Sequence, residues 1–483
     1  MPADPISDVR RIMTGTDMPS TDTPRRRPLR QLQLSLPLAL LAGCTMYHAK
    51  PIDSAAPVAD SATALSVDAA TMPTPALRQH RFDPSDGLDA IEVAMLAVTN
   101  NPDLRLMRDD LGIQRAQAFS AGLLPDPQLS FSRDFAFGSS AGTTTAFAYG
   151  ITQDVTSLLM RSSTAKAARL DTRSVELALL WAEWQTIAQS RVLFDRVRAD
   201  ESLLRQLQET QPVYEALGRS IAAQIGQGNL SVDVADGPLL STADLKRQVS
   251  ETQQRLDQEQ HDLRSLLGLG EQAPLQLVND PAEVAETDTV PADIDQRLAA
   301  LPQRRPDLLA LRTGYLAQEQ RLRLAVLQQF PAISVGLNRA RDNSDVNSRG
   351  YSIGLTLPLF NRNRGAIAIE TATRQRLFDE YQARLATARS EVDRLRIELP
   401  IIARQLQDTR RDAARLRQDQ QAANSAFAAG AIDWNTYLTL STSALAKQAE
   451  SVQLELSLNE QKGVLTTLLG SELPPSLQSE EQH

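Results

Sequence analysis

A chain of 483 residues has room for two or three ordinary domains, yet aromatic residues make up only 4% of it and its mean hydropathy is −0.28. That balance argues against a large conventional globular core and favours long helices in narrow contact, as does the abundance of Ala, Leu, Gln, Arg and Glu. With 50 basic and 59 acidic side chains the net charge is −9, which makes the chain a poor nucleic-acid binder. No apolar run reaches the ~18 residues a membrane-spanning helix needs.

At the N-terminus, Arg25, Arg26, Arg27 and Arg30 precede the apolar stretch Leu32 to Leu41, which ends in Leu41-Ala42-Gly43-Cys44. This grammar predicts a lipoprotein signal over residues 1–43, with Cys44, the only cysteine, acylated as the first mature residue. A buried free thiol is the alternative for Cys44. Removing residues 1–43 takes away six basic and four acidic side chains, which leaves 44 basic and 55 acidic and a net charge of −11. Residues 44–84, rich in Ala, Pro, Asp, Ser and Thr beyond residue 49, are predicted to be a flexible tether.

From there the chain repeats itself. Asn101-Pro102-Asp103-Leu104 recurs as Arg305-Pro306-Asp307-Leu308, Arg108 as Arg312, Gln114 as Gln318 and Pro127 as Pro331, all shifted by 204. Later landmarks shift by 202: Tyr149 to Tyr351, Gly228 to Gly430, Leu230 to Ile432, and Leu266-Leu267-Gly268 to Leu468-Leu469-Gly470. An ordered series of this kind requires a duplicated unit. The expected boundaries are 85–275 for the first repeat, 276–285 for a linker, 286–473 for the second repeat and 474–483 for a tail.

Each repeat opens with helical sequence and then changes period. After Pro127, Leu129, Phe131, Phe135 and Phe137 alternate with Gln128, Ser130, Ser132 and Asp134. Phe147, Tyr149, Ile151 and Val155 then alternate with Ala146, Ala148, Thr152 and Asp154. The second copy sets Ile333, Val335 and Leu337, then Tyr351, Ile353, Leu355, Leu357 and Leu359, against polar or small neighbours. This period of two predicts strands at about 127–137, 145–155, 331–340 and 350–359. Each is long enough to cross a bilayer when tilted, with one face for lipid and one for water. Soluble hairpins fit the periodicity equally well, but the flanking helices are too polar to supply the core such hairpins would cover. Four strands cannot close a barrel, because the smallest membrane barrels have about eight. The chain must therefore oligomerise, and three copies would give twelve strands.

Long helices follow each hairpin, broken only by Pro212 and Pro400, where kinks are expected. The second carries Phe378, Tyr381, Leu385, Ala388, Val392, Leu395, Leu399, Ile402 and Leu406 at spacings of three and four, a coiled-coil stripe. The first has a looser stripe through Leu180, Trp184, Ile187, Phe194, Val197 and Leu204. The helices reverse at Gly226-Gln227-Gly228-Asn229-Leu230-Ser231 and at Ala429-Gly430-Ala431-Ile432-Asp433. There glycine ends one helix in the left-handed conformation, and Ser231 or Asp433 caps the next. Local sequence alone reads as an ordinary helical turn, but its duplication at both distal ends points to a docking surface.

Together the lipobox, the duplicated helix-hairpin-helix units, the Asn-Pro-Asp-Leu/Arg-Pro-Asp-Leu pair, the run from Leu355 to Ile367 and the tip from Gly430 to Leu438 resemble the outer-membrane efflux proteins of the TolC type, over roughly residues 85–473. The resemblance implies a mainly α fold with a β-barrel part: a homotrimer whose twelve-stranded outer-membrane barrel continues into a periplasmic tunnel of long coiled-coil hairpins. It implies a passive exit duct served by a periplasmic adaptor and an inner-membrane pump of the resistance-nodulation-division type, lipid-anchored in the outer membrane of a Gram-negative bacterium. Carried over by position, Gly228, Leu230, Ser231, Gly430, Ile432 and Asp433 form the adaptor-docking tips. Where some members close the tunnel with aspartates, this chain reads Asn435, Thr436, Tyr437, Leu438 and Thr439, leaving Asp233, Asp236 and Asp433 as candidates for an acidic mouth. The resemblance leaves organic compounds, heavy-metal ions and polypeptides open as cargo.

The rival reading is a periplasmic coiled-coil scaffold lipoprotein without a pore. An enzyme has little support: His48, His80, His261 and His483 are the only histidines, none at metal-ligand spacing, and no phosphate loop or nucleophile elbow is present. No cofactor and no metal are expected.

Overall fold

The computed structural model of the chain describes residues 47–54, 58–135, 137, 142–231, 236–278 and 290–470. It divides into an N-terminal unit, Met1–Ala56, and a second unit, Pro57–His483. In the first, residues 47–54 are exposed and form no helix or strand. Cys44 and the predicted signal lie outside the described residues, as do the predicted tail and most of the predicted linker.

In the second unit each repeat runs through the same series. The first holds α1 (Ala90–Asn100), α2 (Pro102–Gly122), β1 (Gln128–Asp134), β2 (Ala146–Asp154), α3 (Val155–Gly226) and α4 (Asp236–Leu266). The second holds α5 (Ile294–Arg304), α6 (Pro306–Leu327), β3 (Ala332–Arg341), β4 (Asn347–Thr356), α7 (Arg364–Ala428) and α8 (Trp434–Leu469). At ~1.5 Å per residue α3 is roughly 110 Å long and α7 nearly as long. Neither Pro212 nor Pro400 ends its helix. At the start of α2 the Asn101 side chain accepts the Leu104 N–H at 3.0 Å, the cap expected of asparagine. In the second copy Arg305 cannot accept, so Asp307 folds back to take the Leu308 N–H at 2.9 Å and grips Arg305, which lies over the Trp181 ring.

The two repeats bury matching cores. Leu193, Val197, Leu204, Leu256, Leu263 and Leu267 lie in the first, and Leu395, Leu399, Leu406, Leu458, Leu465 and Leu469 in the second. These are the same six positions moved by 202, and each burial contributes roughly 1.5–3 kcal/mol before conformational entropy is counted. The four glycines after α3, α4, α7 and α8 obey the same offset. Gly228, Gly268, Gly430 and Gly470 have φ of 74°, 69°, 69° and 67°, the left-handed turn that ends a helix without a Cβ penalty.

Two expectations need correction. The stretch expected to be a tether is packed from residue 58 onward: Met72 and Leu77 are buried against Trp184 and Ile187, and Ala59 bonds to the backbone of Gly268 and Gly270. Its apolar residues are few by composition, but Met72, Leu77 and the half-buried Val67 and Phe82 meet a helical groove. The strands also differ at their ends. β1 stops at Asp134, and β4 runs from Asn347 only to Thr356. Pro358 has no N–H to extend a ladder, so Leu357 and Leu359 leave the sheet in a turn.

All four strands form one antiparallel sheet in the order β1-β2-β3-β4. Directly paired residues point to the same side, so the register sorts the sheet into two faces. Leu129, Ile151, Leu337 and Tyr351 make one apolar row across all four strands; Ser130, Gly150, Asn338 and Gly350 make the row behind it. The apolar row is exposed, Leu129 at 80% and Tyr351 at 79%.

Candidate functional site

Among the described residues no cluster of three or more His, Cys, Asp or Glu is placed to hold a metal ion. The candidate site is the pair of distal tips. At the first, the Asn229 N–H reaches the Gln224 carbonyl at 2.9 Å and the Gly228 N–H reaches Ile225 at 2.9 Å. At the second, Ala431 reaches Ala426 at 2.8 Å and Gly430 reaches Phe427 at 2.9 Å. Both are Schellman closures, and a Cβ on either glycine would meet no atom within 4 Å. These glycines are therefore required by backbone conformation, and the space around them is open.

Asp433 caps α8 by accepting the Thr436 N–H at 2.7 Å, and that bond holds its carboxyl below the usual aspartate range. The equivalent cap expected of Ser231 falls beside residues 232–235, outside the described residues, with Asp233 among them. Asp236 is exposed in the first turn of α4. Leu230 and Ile432 are half-buried.

One contact joining the tips escaped sequence reasoning. Trp434, the first residue of α8, lays its ring on the backbone of Gly237, where a Cβ would lie 3.1 Å from Trp434 Cζ3. A Cβ at 237 would force the indole to shift, so the two return helices approach closely where one begins with tryptophan and the other carries glycine in its first turn. Behind this contact Phe427 stacks on Tyr437 at 4.8 Å between ring centroids, and Tyr214 of α3 is buried in the same cluster. Burial, with Tyr437 beside it, pushes the Tyr214 phenol up to about 12. No local signal marked the Trp434–Gly237 contact or the place of Tyr214 beside Tyr437, because each joins residues some two hundred positions apart.

Higher on the same seam, Arg196 of α3 bonds Glu460 of α8 at 2.6 Å and Arg255 of α4 bonds Asp200 of α3 at 3.0 Å. Glu259 stands among them with Oε2 buried and unpartnered. Burial, aided by Asp200, pushes it up to about 7. This network ties the two repeats together.

Residues 298–471 match the outer membrane efflux protein family. This stretch contains α6, β3, β4, α7, α8 and the second part of α5, and with them two of the motifs that carried the resemblance in the sequence, the run from Leu355 to Ile367 and the tip from Gly430 to Leu438. The pyoverdine export outer membrane protein OpmQ of Pseudomonas putida is 26% identical over 314 residues, which cover 63% of this chain and 64% of that protein. The match thus spans a little under two thirds of the relative's length. Among solved structures, CusC superposes with a TM-score of 0.66 at 20% identity, covering 83% of this chain and 97% of CusC. The CmeC outer membrane channel of Campylobacter jejuni gives 0.67 at 16% identity, covering 81% and 87%. The fold is that of these outer-membrane channels, and its series of helices and strands runs twice through the chain.

Proposed function

We propose that the chain is one third of the exit duct of a tripartite efflux system, lipid-anchored at Cys44 in the outer membrane and passively conducting cargo across it. One observation carries the reading: an open four-stranded sheet with an exposed apolar face, a polar face of small residues, and unpaired edges at β1 and β4. In hydrocarbon an open edge leaves backbone groups unsatisfied, so β4 requires β1 of another copy, and repetition closes a ring. Three copies give twelve strands, with the Ser130-Gly150-Asn338-Gly350 row facing the water-filled lumen.

The internal repeat supports the same closure. Within the chain, α3 of the first repeat packs on α6 of the second, where Ser174 bonds the Ala310 carbonyl at 2.7 Å and Leu177 meets Leu309. Its counterpart would be α7 against α2, and in one chain that seam is empty: Leu106, at the position of Ala310, is 64% exposed, and Ile369 on α7 is 66% exposed. A second copy supplies the missing α2.

The tips built on Gly228, Leu230, Ser231, Gly430, Ile432 and Asp433 are proposed to receive a periplasmic adaptor, which joins the duct to an inner-membrane pump of the resistance-nodulation-division type. Selectivity then lies in tunnel width, lining charge and the pump, with no covalent chemistry in the duct. A relative named for pyoverdine export supports the outward direction. Single-channel conductance of purified trimers in planar bilayers is the expected result; well-folded trimers that never conduct would favour the poreless scaffold. Gly430→Val, strained at positive φ, is expected to abolish export while trimers persist in the membrane, and unimpaired export would remove the docking assignment.

A further inference from the structure

The apolar face of the sheet does not stay apolar to its end. Beyond the Leu129-Ile151-Leu337-Tyr351 row, moving away from the helices, the same face carries Phe131-Tyr149-Arg339-Arg349 and then Arg133-Phe147-Arg341-Asn347. Four arginines interleaved with aromatic rings thus crown the surface that would meet lipid. Arg339 and Arg349 stand directly opposite each other and both are exposed, an arrangement of like charges that is destabilising without a counter-charge. A cleft of about 390 Å³ opens between Phe131, Arg133, Thr144, Thr145, Phe147 and Arg341. On its wall, Arg341 gives one guanidinium nitrogen to Asp345 while its Nε is buried with no partner. Arg133 lies 4.9 Å over the Phe135 ring, which holds the guanidinium at the rim.

We propose that this rim binds the phosphate groups of an outer-leaflet glycolipid headgroup, whose acyl chains run down over Tyr351, Leu337, Ile151 and Leu129. Arginine is suited to phosphate because its planar fork bonds two oxygens at once. Aromatic rings at the interface level seat the boundary between headgroup and chain. A lipid, as opposed to a soluble anion, is indicated because the charges share a face with the apolar rows and continue them outward. The assignment rests on the sheet lying in the outer membrane, as proposed above.

The test is native mass spectrometry of purified full-length trimers titrated with diphosphorylated lipid A. The wild type is expected to retain it, and Arg133→Gln/Arg341→Gln and Arg339→Gln/Arg349→Gln are each expected to bind at least about tenfold more weakly. Dephosphorylated lipid A is expected to bind as weakly to the wild type, and millimolar inorganic phosphate to leave lipid A in place. Equal retention by both variant pairs, equal binding of the dephosphorylated lipid, or displacement by inorganic phosphate overturns the proposal. Conductance separates the two readings. A wild type that conducts but ignores the phosphate groups removes only the rim assignment, whereas one that does not conduct removes the duct itself. Variants that still conduct are folded, so a loss of lipid in them reads as lost recognition.

Discussion

The two long helices α3 and α7 occupy equivalent places in the repeat and have unequal surroundings. α3 buries residues along nearly its whole length, from Ala165 to Ile221, against α1, α2, α4, α6 and α8. α7 buries nothing before Ala388, and Ile369 and Phe378 in its first turns stay exposed. The sequences of the two helices do not explain the difference, since α7 carries the more regular apolar stripe. What differs is position: α3 sits at the middle of the chain's own set of helices and α7 at its border. In the proposed assembly the unfilled face of α7 and the exposed Leu106 of α2 are halves of one contact, whose counterpart α3 and α6 make within the chain.

The largest effect is expected from breaking that contact in its two versions. Leu106→Glu would bury an unpaired charge between copies, at a cost of at least about 3 kcal/mol per contact. Light scattering on the purified protein is expected to find monomers that remain folded. Ala310→Glu, the same change inside the chain, is expected to lower the melting temperature of the subunit itself, and identical behaviour of the two variants would sink the equivalence. Next in size, Leu395→Ala in the α7 core removes a fully buried side chain and is expected to cost about 2–5 kcal/mol. Leu193→Ala at the matching position of α3 should cost a similar amount in chemical denaturation.

A smaller effect is expected at the second tip. Asp433→Ala loses the cap on Thr436 and is expected to cost about 1 kcal/mol, with faster amide exchange confined to the first turn of α8. The smallest concerns Glu259, whose folded value stands near 7 while the unfolded one is that of an ordinary glutamate. Between those values the folded chain holds a proton that the unfolded chain lacks, so its contribution is present at low pH and is lost as pH rises through about 7. The melting temperature of the wild type relative to Glu259→Gln is expected to fall between about pH 5 and pH 8. A flat difference would place the carboxyl back in the ordinary range.

Several of these features are legible in residue order. The offset of 202 reappears in the backbone of Gly228 and Gly430, because a glycine at a helix end reports a local φ. The stripe from Ala388 to Leu406 reappears as buried core, because a period of 3.6 decides which side of a helix is apolar whatever covers it. Alternation places the strands to within a few residues, and at β4 it runs past the true end because Pro358 cannot extend the ladder. The packing of Met72 and Leu77 was hidden, since a polar-rich segment is ordered here by grooves supplied from α1 and α3. Trp434 and Gly237 were equally silent, as each is ordinary until the other is placed beside it.

Local periodicity and turn chemistry act over a few residues, so the amino-acid order was enough to establish two copies of one unit, their strands, their amphipathic helices and their glycine tips. Register and neighbourhood arise between segments some two hundred residues apart, as when β2 of one repeat pairs with β3 of the other. Only folding could bring Arg133 and Arg341 to one cleft, Ser174 to Ala310 and the Trp434 ring to Gly237. It also decided which of two equivalent helices would keep its first turns uncovered, because a face is covered or open according to what packs against it.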